Sequence, residues 1–186
     1  MSTTNSMHQI AANAPVGDVR VASEYFSRRQ LHRRNRIVES AQVPTTRIAG
    51  ILYARDGSGT EALNGRLIEI PESLERHELH DPTVRYITYV PPGSLARGRR
   101  LVQTGPAGPT TACSACHGPD LLGVAMVPPI AGRSPSYILR QLLNIKTGAR
   151  RDSASVPMRA VVEPLSLDDI VALAAYVGSL APNRPR

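Results

Sequence analysis

The chain has 186 residues, with no tryptophan, one phenylalanine and a formal net charge of +7 that comes almost wholly from arginine. This length permits one ordinary domain, or a small domain with an appended segment. The positive charge favours an anionic membrane or an acidic protein as partner, and it argues against a nucleic-acid-binding protein because no recognition motif or aromatic-basic interleaving accompanies it.

The first half of the chain predicts a helix followed by β-structure. Residues 18–29, DVRVASEYFSRR, predict a short helix with Val19, Ala22 and Phe26 on one side, and residues 30–46 predict a basic and then polar linker. Two β-rich runs within residues 47–74 are separated by Gly, Ser and Asp, which predicts a hairpin with a loose loop. The stretch TVRYITYVPPG predicts a strand that stops at its Pro-Pro-Gly.

The second half predicts helices. Residues 94–105 predict a helix capped by Ser94, and residues 134–148 predict one with an apolar face. Residues 166–180 predict a third, capped by Ser166 with two aspartates in its first turn. None of the apolar runs approaches the roughly 20 residues of a membrane span.

Charge and aromatic content divide the chain unevenly. Residues 1–93 carry 11 basic and 10 acidic groups, whereas residues 94–186 carry 11 and 5. The basic half is also short of large aromatic side chains, so it struggles to build a core unaided. A flat apolar cofactor would supply the missing core.

Residues 110–119, TACSACHGPD, contain both cysteines of the chain and a histidine directly after the second. The pattern Cys-x-x-Cys-His is the attachment signature of a c-type haem. Two intervening residues allow a single turn to bring both thiols to neighbouring vinyl groups of the porphyrin, and the histidine then reaches the iron. We therefore expect one haem bound through Cys113 and Cys116, with His117 as an iron ligand.

Three other uses of these residues are open. A redox dithiol needs a cysteine of low pKa, usually at a helix start in a βαβ context, and none is visible. A structural zinc site needs four ligands, one more than the two cysteines and His117 provide. A disulfide is possible but leaves the histidine unexplained.

Pro128 is a candidate partner for the second nitrogen of His117. A proximal histidine is usually oriented by a hydrogen bond from its other ring nitrogen. Pro128 lies 11 residues after His117, in VPPIAG. Its carbonyl is a suitable acceptor because proline has a fixed φ and no competing N–H. A simple turn is the alternative.

The far face of the iron requires its own ligand, and the chain has four methionines. Two lie in the N-terminal tail, and Met126 is nine residues from His117, too close along the chain to pass around the ring edge. Met158 lies 41 residues beyond His117, in irregular chain that can lie against a haem, so we expect it to be the axial ligand. The alternatives are the histidines of the tail, the linker and a charged turn: His8, His32, His77 and His80.

Residues 94–186 resemble a small class I c-type cytochrome, through ARGRRLV, CSACHG, VPPIAG, SYILRQLLNIKTGAR and PMRAVVEPLSLDDIVALAAYVGSL. The resemblance implies a mainly α protein with the class I cytochrome c helical fold around one haem, here with a β-rich N-terminal extension. It implies axial ligation by His117 and Met158. It also implies that the first and last helices cross closely at Gly98 and Tyr176.

Beyond residue 17 the chain is most similar to the C-terminal half of bacterial di-haem c-type cytochromes. Residues 18–28 resemble residues 169–179, which suggests that they are the last helix of a first cytochrome domain. The predicted divisions are an N-terminal helix and linker that is a remnant of this lost domain (1–43), a β-rich extension (44–92) and a cytochrome c domain (93–186).

Two departures from the family pattern affect the site. Only one Cys-x-x-Cys-His is present, so at most one haem binds. The stretch RDSAS replaces a run that often contains an aromatic residue, which predicts a thinner wall of the haem pocket. The resemblance also implies that Tyr137 and Arg150 lie near the haem propionates; ordinary surface positions are the alternative.

These features predict an electron carrier with ligands on both sides of the iron, not an enzyme. The alternatives are a peroxidase-like or sensor protein with an open sixth position, and a degenerate fragment without function. The predicted partner is a redox protein, a dehydrogenase or oxidase, whose acidic face meets an arginine surface near the haem edge. That surface comprises Arg97, Arg99, Arg100 and Arg150.

A periplasmic or other extracytoplasmic location is expected, because haem attachment of this kind takes place outside the bacterial cytoplasm. The first 17 residues show neither the basic start nor the apolar centre of a secretion signal, which conflicts with that location.

Overall fold

The N-terminal part of the chain forms two helices, α1 (Thr3–Asn13) and α2 (Val16–Ser27). A computed structural model describes residues 3–29, 31–50, 52–106, 108 and 111–183, and it separates residues 1–31 from residues 32–186 as two units. Helix α2 matches the helix predicted from residue 18, whereas α1 lies where a tail is predicted. No residue of α2 is buried, and Phe26 is 70% exposed.

Five strands form the β-rich region, which we define as residues 33–90. They are β1 (Asn35–Glu39), β2 (Gln42–Ala49), β3 (Leu52–Ala62), β4 (Ile68–Pro71) and β5 (Tyr86–Val90), with a short helix α3 (Leu74–Glu78) before the last. Strand β5 lies between β1, its parallel partner, and β4, its antiparallel partner, while β2 and β3 form a separate hairpin. A small core holds these strands together: Val43, Leu63, Ile68 and Ile70.

The predicted linker and hairpin loop are both wrong in position. Strand β1 lies inside the predicted linker, so the β-structure begins before the predicted boundary at residue 44. The hairpin reverses between Ala49 and Leu52, which pair, and not at the DGSG stretch. Gly50 has a φ of +61°, the left-handed conformation that a two-residue hairpin turn requires. The exposed DGSG stretch lies within β3 but bulges out of the pairing, because Arg55 pairs with Thr46 and Thr60 with Pro44.

The remaining chain is helical, as predicted. It comprises α4 (Ser94–Thr104), α5 (Cys113–His117), α6 (Pro135–Lys146), a 3₁₀ turn (Ser153–Ser155), α7 (Val156–Val162) and α8 (Leu167–Ser179). Ser166 caps α8 as predicted, within a capping box formed with Asp169. No helix within the described ranges has the length and apolar character needed to cross a membrane.

The predicted cap of α4 is wrong. Ser94 is the first helical residue, and Gly93, with a φ of +83°, occupies the capping position. The Ser94 hydroxyl donates a 2.6 Å hydrogen bond to the carbonyl of Pro91 and accepts none from the helix N–H groups. The start of α4 therefore has no local side-chain cap.

Helices α4 and α8 cross at Gly98, which is buried. A Cβ built on Gly98 would lie 2.7 Å from the Cβ of Tyr176 and closer still to the carbonyl oxygen of Ala172. Only glycine fits this crossing, as the resemblance implies. The main core surrounds α8, with Leu121, Val162, Ile170 and Leu173 among its buried members.

Two charged side chains link the helices at their ends. Arg97 of α4 donates a 2.8 Å hydrogen bond to Asp169, in the first turn of α8. At the end of α6, the amine of Lys146 donates to the carbonyls of Val162 and Glu163, where α7 ends. Each contact places a cation beside a complementary helix terminus or acid.

Asp169 is expected to make stability depend on acid pH. Burial raises its pKa, but hydrogen bonds from the hydroxyl and backbone N–H of Ser166 and from Arg97 outweigh burial, so the pKa lies below its usual value. The unfolded chain then binds more protons than the folded one, so this stabilisation is present above the unfolded pKa of about 3.9 and is lost as the pH falls through the folded pKa.

The unfolding free energy of the variant Asp169→Asn should therefore be about 1 kcal/mol lower at neutral pH, and it should fall less steeply below about pH 4. Urea unfolding at several pH values measures both. Asp120→Asn, at an exposed position, is the control. If the unfolding free energy fell equally steeply with acid in Asp169→Asn and in the unchanged protein, the expectation would be contradicted.

Candidate haem attachment site

Helix α5 is a single turn that contains both cysteines and His117. The hydroxyl of Ser114 donates a 3.0 Å hydrogen bond to the carbonyl of Val102, which fixes the turn against α4. Gly118, with a φ of +83°, ends the helix, and the N–H of Gly123 donates to the His117 carbonyl at 3.0 Å. The motif is therefore held by a side-chain hydrogen bond to α4 and by a backbone hydrogen bond from Gly123.

The two cysteines form no disulfide with each other, and their environments differ. Cys113 is half-buried and Cys116 is exposed. Burial raises the pKa of Cys113 to about 11, so at neutral pH it is protonated. A redox dithiol requires the opposite shift, which leaves that alternative without support.

The imidazole of His117 has one nitrogen committed to the protein. His117 is 7% exposed, and its Nδ1 lies 2.8 Å from the carbonyl oxygen of Pro128. A carbonyl only accepts, so Nδ1 carries the proton and Nε2 keeps its lone pair for a metal. This is the contact that the VPPIAG stretch predicts.

The segment between His117 and Pro128 contains Leu121, a residue that no motif in the sequence marks. Leu121 is fully buried and has a φ of +55°, a conformation uncommon for a large side chain. Its carbonyl accepts hydrogen bonds from the N–H groups of Ile130 and Ala131 at 2.9 and 3.0 Å. No sequence signal marks a leucine for this role.

Met158 lies on α7 and packs partly buried against the main core. The stretch predicted to be irregular forms the 3₁₀ turn and the start of this helix. Pro157 is accommodated there because the first turn needs no intrahelical N–H donor. Met126, in contrast, is 96% exposed. Of these two methionines, Met158 is therefore the better placed to be a ligand.

The other candidate residues lie apart from these contacts. Arg150 donates a 3.1 Å hydrogen bond to Asp152 and another, of 2.9 Å, to Gln141; the Arg150 contact lowers the pKa of Asp152. Tyr137 is 43% exposed at the start of α6. A propionate contact for either remains a prediction. His77, on α3, lies 2.8 Å from the hydroxyl of Tyr86.

The part of the chain that the structure describes contains no separate cluster of metal-binding side chains. No group of three or more His, Cys, Asp or Glu side chains comes together there. The donors that do fit a prosthetic group are the two thiols, the free Nε2 of His117 and the thioether of Met158. Thiols, imidazole and thioether are the attachment and ligand chemistry of haem c.

Comparison with known proteins decides the family. Residues 95–181 match the protein-family model described as Cytochrome c. The "Cytochrome subunit of sulfide dehydrogenase" of Chlorobaculum tepidum is 32% identical over 47% of this chain and 89% of its own length. The chain belongs to the cytochrome c family. Its matched part is called the cytochrome region below.

Two further relatives extend this match. "Cytochrome c-554(547)" of Halothiobacillus neapolitanus is 31% identical over 47% of this chain and 98% of its own length. "Cytochrome c4" of Azotobacter vinelandii is 33% identical over 47% of this chain and 40% of its own length. The chain thus spans less than half of the Azotobacter protein.

Membership fixes the fold class and the cofactor. The cytochrome region has the helical fold of a class I cytochrome c, with the β-rich region before it. The family has covalently bound haem c, and Cys113 and Cys116 have the spacing for its attachment. One Cys-x-x-Cys-His accordingly supports one haem.

Proposed function

We propose that this chain carries single electrons, with its haem tethered by Cys113 and Cys116 and its iron held between His117 and Met158. The observation that carries the proposal is the 2.8 Å contact from His117 Nδ1 to Pro128, because it leaves Nε2 as the ligand nitrogen. When bound, haem supplies an Fe(III)/Fe(II) couple. The thioether of Met158 is neutral and soft, so it favours the ferrous state and raises the potential.

The residues support a carrier over an enzyme. With His117 and Met158 both bound to a haem iron, no position would be left for peroxide or oxygen. The helices around the site are also fixed by long-range contacts, such as Gly98 against α8 and Arg97 to Asp169. A rigid surrounding reduces the rearrangement that accompanies a change of charge.

The test is a spectrum, a mass and a redox titration of protein matured in a bacterium that attaches haem c. We expect one haem that remains through denaturation, a reversible one-electron titration, and a far-red absorption band of Met-ligated ferric haem that disappears with dithionite. Two unmodified thiols, or an absent far-red band, would refute the assignment.

We also propose an acidic redox partner. Of the four arginines predicted to meet it, we keep Arg99 and Arg100. Arg97 is bonded to Asp169, and Arg150 to Asp152. Arg99 and Arg100 are exposed, and neither guanidinium has a hydrogen bond or ion pair to another residue in the described ranges. Of the four predicted arginines, these two are therefore the ones whose charge is left to attract an acid. The dehydrogenase named for the Chlorobaculum relative supports a dehydrogenase as partner.

Charge at Arg99 and Arg100 should control the rate with an anionic oxidant. The double variant Arg99→Gln/Arg100→Gln should react several-fold more slowly with ferricyanide at low salt, and the difference should vanish at high salt. Arg55→Gln/Arg85→Gln makes the same charge change in the β-rich region as a control. Stopped-flow rates that fall equally in both double variants would count against a specific docking surface.

The domain division and location are also proposals. We propose that residues 18–28 correspond to the last helix of a preceding cytochrome domain. The similarity of α2 to α8 supports this, as does the lack of any buried residue in α2. We propose an extracytoplasmic location because haem c attachment requires it.

A further inference from the structure

Three side chains of the β-rich region bond to the ends of three helices in the cytochrome region. Glu39 accepts a 2.8 Å hydrogen bond from the N–H of Leu95, at the start of α4. Glu69 bonds to the start of α6. Arg33 donates to the carbonyl of Ser179, at the end of α8. Acids thus lie at two helix N-termini and a cation at a C-terminus, which matches the helix dipole at all three.

Glu69 makes the most extensive of these contacts. Its carboxylate accepts from the hydroxyl of Ser134 at 2.9 Å and 3.2 Å. It also accepts from the hydroxyl and the backbone N–H of Ser136, at 3.1 and 3.4 Å, and from the hydroxyl of Thr88 at 3.2 Å. Ser134 is the N-cap of α6 and accepts from the N–H of Tyr137. Glu69 therefore fixes the residue that starts α6.

The start of α6 is joined to His117 by a short segment. Pro128, whose carbonyl accepts from His117, lies six residues before Ser134. Between them, Ile130 and Ala131 donate to the carbonyl of Leu121. At its far end the segment is held by Ser134, and Ser134 is held by Glu69. The N–H of Gly132 also donates a 2.9 Å hydrogen bond to the carbonyl of Val177. A carboxylate from the β-rich region therefore holds the far end of a segment that Leu121 and α8 hold along its length.

We propose that Glu69 is a positioning residue for the haem site, acting through Ser134 and Pro128 on the imidazole of His117. The proposal rests on the proposed function. A firm bond from Nδ1–H to Pro128 makes the imidazole a stronger donor to iron and favours the ferric state. If Glu69 is lost, the segment gains freedom, this bond weakens, and the midpoint potential rises.

Glu39 supplies a matched control. It also caps a helix from the β-rich region with one carboxylate, but on α4, which does not lead to Pro128. Both Glu39→Ala and Glu69→Ala should therefore lower the unfolding temperature, and Glu69→Ala should lower it more because its carboxylate accepts more hydrogen bonds. Only Glu69→Ala should raise the midpoint potential and speed solvent exchange of the His117 Nδ1 proton several-fold, measured by NMR on the haem-bound protein. Glu69→Gln keeps an acceptor and should stay near the unchanged protein in proton exchange.

The outcomes separate the possibilities. Equal proton exchange and potential in Glu69→Ala and Glu39→Ala would overturn the proposal, leaving Glu69 a stabilising cap alone. The proposal would also be overturned if the midpoint potential rose equally in Glu69→Gln and Glu69→Ala while exchange of the His117 Nδ1 proton stayed unchanged. The rise would then come from the lost negative charge alone. Neither outcome affects the proposed function, which depends only on whether the unchanged protein holds haem with the Met-ligated spectrum.

Discussion

Replacing Met158 with leucine is expected to lower the midpoint potential by a substantial part of the roughly 0.8 V that axial ligands span. Leucine has a similar volume, so packing against the core changes little, by less than about 1.5 kcal/mol. The donor sulfur, however, is lost. The oxidised protein should lose its far-red band, and the reduced protein should gain the ability to bind carbon monoxide. Redox titration and absorption spectra measure these changes.

Met126→Leu makes the same chemical change at an exposed position and should alter none of these properties. If Met158→Leu retains the potential and the spectrum of the unchanged protein, another residue ligates the iron. Because the far-red band marks a thioether ligand, Met7→Leu would then be tested next. A retained band in both the Met158→Leu and Met126→Leu variants would assign the thioether to a methionine of the N-terminal tail.

Replacing Gly98 with valine is expected to cost about 3 kcal/mol or more in unfolding free energy. A Cβ at this position meets the backbone of Ala172 and the Cβ of Tyr176, and backbone cannot give way as a side-chain tip can. Helices α4 and α8 must then separate, which disturbs the core around Leu121. The unfolding temperature should fall by roughly 6–12 °C, measured by circular dichroism of the haem-bound protein.

Gly17→Ala is the control for the effect of glycine replacement itself. Nothing lies within 4 Å of a Cβ built there, so alanine should leave α2 unchanged or stabilise it by about 0.5–1 kcal/mol. Should Gly98→Val unfold at the same temperature as the unchanged protein, the two helices do not cross as closely as described.

The sequence allowed prediction of features that depend on neighbours along the chain. The motif turn, the Ser166 cap and the contact between His117 and Pro128 all rest on spacings of a few residues. The family resemblance added the crossing at Gly98. Met158 was predicted from its separation from His117 along the chain and from the family resemblance, and its helical setting was missed because the stretch SASVPM suggested irregular chain.

Features set by distant partners were missed or misplaced. Strand β1 lies in a predicted linker because its pairing residues on β5 are about 50 positions away. The prediction of Ser94 as a cap fails for the same reason: Glu39, 56 residues before Leu95, accepts the hydrogen bond from the Leu95 N–H. Leu121 adopts a left-handed conformation that only its surroundings can impose.

Lys146 is the only lysine of the chain, and its amine is occupied by the carbonyls that end α7. Acylating reagents therefore have one lysine target, which is exposed and lies beside the helix that carries Met158. Slow acylation of that amine would indicate that its hydrogen bonds to the end of α7 are intact. Rapid acylation would indicate that α7 has moved away from α6. A single labelling rate can thus follow the methionine side of the molecule in either oxidation state.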